Sequence, residues 1–92
     1  MKIRFSKQSL KFLENLGDKK HETVRLKLKQ LSISVAERGI IPYKELHIKN
    51  LVGDWKGFMR MRIGDIRVIF RIVSASEEIF IYEMDFRGSA YQ

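Results

Sequence analysis

Phe58-Met59-Arg60-Met61-Arg62-Ile63-Gly64-Asp65-Ile66-Arg67-Val68-Ile69-Phe70-Arg71-Ile72-Val73 is the stretch on which the fold turns. Both flanks have strand composition, and Gly64-Asp65 fits a two-residue hairpin loop. That loop sets the register. Ile63 faces Ile66, Arg62 faces Arg67, Met61 faces Val68, Arg60 faces Ile69, Met59 faces Phe70 and Phe58 faces Arg71. Side chains alternate between the two faces of a sheet. One face therefore carries Met59, Met61, Ile63, Ile66, Val68 and Phe70, wholly apolar and expected to pack on helices. The other carries Phe58, Arg60, Arg62, Arg67, Ile69 and Arg71.

Four arginines on one small patch call for an explanation. Like charges paired across strands are destabilising unless something offsets them. A phosphate is expected to do so, because the planar guanidinium fork bonds its oxygens in pairs. An ordinary solvent-facing sheet surface mixes signs. Between Lys56 and Arg71, five residues are basic and only Asp65, at the turn, is acidic. The inference depends on the register, since a slip of one residue exchanges the faces.

Working outward, Ile3 and Phe5 alternate with Lys2 and Arg4 as a short N-terminal strand. Ser6 suits a helix N-cap, Leu10, Leu13 and Leu16 recur at helical spacing, and Gly17 is expected to end that helix. Val24, Leu28, Leu31 and Val35 define a second helix from Asp18 to Gly39, with Pro42 just beyond. Residues 39–57 read as a connection with a short strand near 44–49. After Val73, residues 78–84 form a further strand. Both of its parities are largely apolar, as expected for a strand covered on both sides, and its register is open. It brings Asp85-Phe86-Arg87 and the tail to Tyr91 to one end of the sheet, where Arg87 and Tyr91 can meet the arginines. The expected fold class is α+β: a short N-terminal strand and two antiparallel helices packed on an antiparallel sheet, all in one domain spanning residues 1–92.

The 92 residues carry 18 Lys and Arg against 11 Asp and Glu, a formal charge of +7. That excess favours a polyanionic partner. There is no cysteine, so disulfides and the usual zinc-finger sites are excluded. His21 and His47 are isolated and expected on the surface, no metal or other cofactor is expected, and no apolar run approaches the roughly 18 residues of a membrane span. The expected location is the cytoplasm.

The segment from Gly53-Asp54-Trp55-Lys56-Gly57-Phe58 through Phe70 resembles the RelE/ParE toxin superfamily, as does the ending Asp85-Phe86-Arg87 with Tyr91 four residues later. The order strand, two helices, sheet and tail is similar across almost the whole chain. The resemblance implies a toxin of a type II toxin-antitoxin system, blocked by a cognate antitoxin. For the RelE branch it implies a metal-independent endoribonuclease that cuts mRNA in the ribosomal A site. The implied catalytic residues are Arg60, with Arg62 close by, Arg67, Arg87 and Tyr91; from the basic face itself, Lys56, Phe58, Arg62 and Arg71 are expected to contact RNA. Many relatives carry His before the C-terminal arginine, where this chain has Phe86.

Such a site must deprotonate the ribose 2′-hydroxyl, stabilise charge on phosphorus and protonate the leaving oxygen. Arg60, Arg62 and Arg67 suit the second task. Arginine is a poor base, which leaves Tyr91 or Lys56 to take the proton once nearby positive charge lowers its pKa. Arg87 would orient the phosphate or donate a proton. Two rival functions share these features: a ParE-like inhibitor of DNA gyrase, and a noncatalytic nucleic-acid-binding module acting with an antitoxin.

Overall fold

A computed structural model describes residues 1–87. In chain order the elements are β1 (Lys2–Phe5), α1 (Lys7–Glu14), α2 (Asp18–Arg38), β2 (Ile48–Asn50), β3 (Met59–Ile63), β4 (Ile66–Val73) and β5 (Glu78–Phe86). The strands form one sheet in the order β1-β5-β4-β3-β2. All pairings are antiparallel except β1 with β5, which is parallel. The fold class is α+β, as expected.

The hairpin has the register its turn dictates, from Ile63 opposite Ile66 to Met59 opposite Phe70. Gly64 occupies the first loop position at φ 60, a conformation that costs a residue with a Cβ but not glycine. The apolar face is buried throughout: Met61, Val68 and Phe70 are wholly withdrawn from water, and Met59, Ile63 and Ile66 nearly so. Val24, Leu28 and Leu31 of α2 and Leu13 of α1 meet them in one cluster, joined by Ile79, Ile81 and Met84 of β5. Each large side chain buried in this way contributes about 1.5–3 kcal/mol.

α1 and β5 are tied together closely. Ser6 caps α1 by accepting from the Ser9 backbone N–H at 3.1 Å, and its hydroxyl lies 2.6 Å from the Tyr82 carbonyl oxygen. The buried Ser9 hydroxyl donates to the Ile81 carbonyl. The Gln8 side-chain amide donates to the Met84 carbonyl at 2.7 Å and accepts from the Met84 N–H at 3.0 Å. Where β1 ends, the start of α1 therefore continues to satisfy the backbone of β5.

Four expectations need correction. α1 stops at Glu14, and Gly17 precedes α2 as its N-cap, so it is not the end of the first helix. The strand in the connection is Ile48–Asn50; residues 43–47 form turns, and His47 sits at φ 53, which breaks extended backbone. β5 is covered on one side only: Tyr82 is exposed on the other. Its mixed parity has a different cause, a bulge. Ile69 pairs with Glu83 but Phe70 pairs with Ile81, so Tyr82 is an extra residue. Ile79, Ile81 and Met84 thereby all reach the core. Finally, His21 is half-buried, not on the open surface, whereas His47 is exposed.

Candidate functional site

Alternation places one residue set on the sheet face opposite the helices. Its charged members among the described strand residues are Lys2, Arg4, Lys49, Arg60, Arg62, Arg67 and Arg71, with Glu78, Glu83 and Asp85 from β5. Seven cations face three carboxylates, so the face is basic but not uniformly so.

The half near the hairpin turn is ionic. Arg62 is exposed and Arg60 half-buried, with its Nε withdrawn from solvent. Arg67, opposite Arg62 on one side, has Asp85 as its neighbour on the other. Its Nε donates to Asp85 at 3.2 Å and its Nη2 at 3.0 Å, a bidentate pair, and Nη2 also reaches Glu83 at 3.5 Å. The expectation that a phosphate must offset the arginine repulsion is therefore incomplete, because β5 supplies carboxylates for Arg67. The backbone N–H of Arg87 donates to the Asp65 carbonyl at 2.8 Å, which brings the end of β5 beside the turn. Arg87 is exposed there. Asp65 itself pairs with Lys20 of α2 at 3.1 Å.

Glu83 and Asp85 were not among the expected site residues. Their spacing of two residues was a visible signal that they share a face. Burial, and then the adjacent Asp85 carboxylate, hold the Glu83 carboxyl above the ordinary carboxylate range, against the pull of Arg67. A carboxyl raised in this way, beside guanidinium groups, can exchange protons closer to neutrality.

The other half is aromatic. Phe58 lies 5.5 Å from Trp55 and 5.4 Å from Tyr82, centroid to centroid, and Trp55 lies 5.5 Å from Tyr82. Arg71 sits over the Phe58 ring at 5.6 Å. Lys56 is exposed on the turn next to Trp55. On the same face Ile69, paired with Arg60 and Glu83, is 4% exposed although it lies outside the helix-side core.

The structure thus brings Arg60, Arg62, Arg67, Arg71 and Phe58 onto one face, with Arg87 at its turn end. Tyr91 lies outside the described residues. Among those residues, no group of three or more His, Cys, Asp or Glu is placed to hold a metal. Among the described residues no helix is long and apolar enough to cross a membrane.

No protein-family model matches the sequence, and no curated protein matches it. Solved structures do. The chain is similar to a chain of the RelE–RelB complex of Pyrococcus horikoshii, at 26% identity and a TM-score of 0.72, over 95% of this chain and 94% of that one. It is similar to a YoeB/ParE toxin from Agrobacterium tumefaciens at 19% identity and a TM-score of 0.71, over 94% and 98%. It is also similar to a chain of the Escherichia coli RelBE toxin-antitoxin complex at 14% identity and a TM-score of 0.68, over 92% and 94%. Five strands in the order β1-β5-β4-β3-β2, two helices on one face and these near full-length matches together make the chain, by its fold, a member of the RelE/ParE toxin superfamily.

Proposed function

We propose that this protein is the toxin of a type II toxin-antitoxin pair and acts as a metal-independent endoribonuclease on mRNA in the ribosomal A site. The observation that carries this reading is the cationic sheet face, with Arg60, Arg62 and Arg67 side by side. In the proposed reaction the 2′-hydroxyl attacks the adjacent phosphate, the 5′-oxygen leaves, and the products carry a cyclic phosphate and a 5′-hydroxyl. Arg60 and Arg62 stabilise the charge that builds on the phosphoryl oxygens. Arg67, held in place by Asp85 and Glu83, supplies a preset cation at the turn end. Arg87 orients the phosphate or protonates the leaving oxygen. Tyr91 and Lys56 remain proposed proton acceptors, and Glu83, with its raised carboxyl, joins them. Lys56, Phe58 and Arg71 contact flanking RNA.

The partners in this reading are a cognate antitoxin, mRNA and the ribosome, all in the cytoplasm. Exposed Leu26, Ile33, Ile40 and Tyr43, on α2 and the connection after it, offer an antitoxin apolar surface. The test is to incubate the protein with translating ribosomes and map mRNA ends. New ends carrying 5′-hydroxyls are expected. Gyrase-dependent DNA breaks without mRNA cuts would instead assign the ParE-like role, and salt-sensitive RNA binding without products would assign a noncatalytic module.

A further inference from the structure

We propose that Trp55, Phe58 and Tyr82 form a stacking site for an unpaired nucleobase, so that the face holds single-stranded RNA at two places, by rings at one end and guanidinium groups at the other. This rests on the reading of the face as RNA-binding and adds a second contact to it.

Three observations carry the proposal. First, the rings are brought together by separate devices. Gly57 at φ 97 follows Trp55 in the turn before β3, and the β5 bulge turns Tyr82 and Glu83 outward in succession. Second, Trp55 and Tyr82 stay 38% and 42% exposed while packed edge-on around Phe58. Third, the rings are bordered by cations. Arg71 lies over Phe58, and Arg4 lies 4.3 Å over Phe80, itself next to Tyr82. Rings bordered by positive charge suit a base and its phosphates, and stacking tolerates any base because each has a π-face. From Arg67 to Arg71 the strand covers about 13 Å, so a short single strand can engage both ends.

The chain has a single tryptophan, which makes Trp55 emission a direct probe. The experiment titrates the full chain with a 2′-O-methyl single-stranded oligonucleotide, which cannot be cut by 2′-hydroxyl attack. Saturable quenching of Trp55 is expected, with little quenching by an abasic strand of equal charge. Tyr82→Leu, which keeps an apolar side chain at this exposed position, should weaken binding about tenfold at an unchanged melting temperature, and Tyr82→Phe should restore it. Binding detected by anisotropy without any change in Trp55 emission would overturn the stacking site while leaving the cleavage proposal standing. So would unweakened binding by a folded Tyr82→Leu protein. No binding at all would likewise overturn the stacking site, while the mapping of mRNA ends on ribosomes decides the cleavage proposal separately. If Tyr82→Leu does not fold, the titration of the unaltered chain decides.

Discussion

Alternate residues of the same two strands meet opposite fates. Met59, Met61, Val68 and Phe70 vanish into one apolar cluster, while Arg60, Arg62, Arg67 and Arg71 line the other side of the sheet. The first face is specified by burial alone, and any side chain of the right size and polarity would serve. The second is specified by pairings: Arg67 with Asp85 and Glu83, Arg71 with Phe58, Arg4 with Glu78 at 3.3 Å. Under the proposed function most of the stability comes from the first face and RNA recognition from the second, so substitutions on the two faces should fail in different assays.

Phe70→Ala should separate the faces most sharply. It opens a cavity and should cost about 3–5 kcal/mol, a large share of the 5–15 kcal/mol typical of a domain. Arg62→Ala, exposed on the opposite face, should stay within about 0.5 kcal/mol. Urea unfolding of the pair measures the contrast, and similar losses would break it. Next, Arg60→Met keeps the aliphatic stem but removes the guanidinium. RNA cleavage should fall by about 10²–10³-fold in a protein that still melts cooperatively.

Asp85→Asn should have an intermediate effect. It neutralises the bidentate one of the two carboxylates paired with a largely buried arginine, so stability should drop by about 1–3 kcal/mol, read as a lower melting temperature. This would show that the ionic half of the face also contributes to the fold. Glu83→Gln should act in the reverse direction and least of all. The Glu83 carboxyl titrates above its usual 4.5 in the folded chain, so the fold favours its protonated form. The stabilisation linked to that form is present below pH 4.5 and lost as pH rises through the higher folded value. The Gln variant should therefore melt slightly above the parent at neutral pH, and the gap should close near pH 4. A gap that widens toward acid would reverse the assigned sign.

How much of this was legible in the sequence follows the same division. The hairpin was legible in full, because a two-residue loop fixes register and a clean alternation fixes the face. The second helix was legible because Val24, Leu28, Leu31 and Val35 keep their spacing to a glycine that ends it. β5 was not. Its phase breaks at Tyr82, and the bonds that hold it there come from Ser6, Gln8 and Ser9, some seventy residues away in the chain. No local pattern shows such a bulge. The consequence was an incomplete picture of the site: the arginines were placed, but the carboxylates that hold Arg67 were missed, as was the part Trp55 and Tyr82 play beside Phe58.

The most direct test of the central claim is to map mRNA ends on programmed ribosomes with the parent protein and with Arg60→Met. The parent should generate A-site cuts with 5′-hydroxyl ends, lost when the attacking ribose is replaced by 2′-deoxyribose, and the folded variant should generate almost none. Intact mRNA with the parent protein, or equal cutting by the variant, would contradict the account.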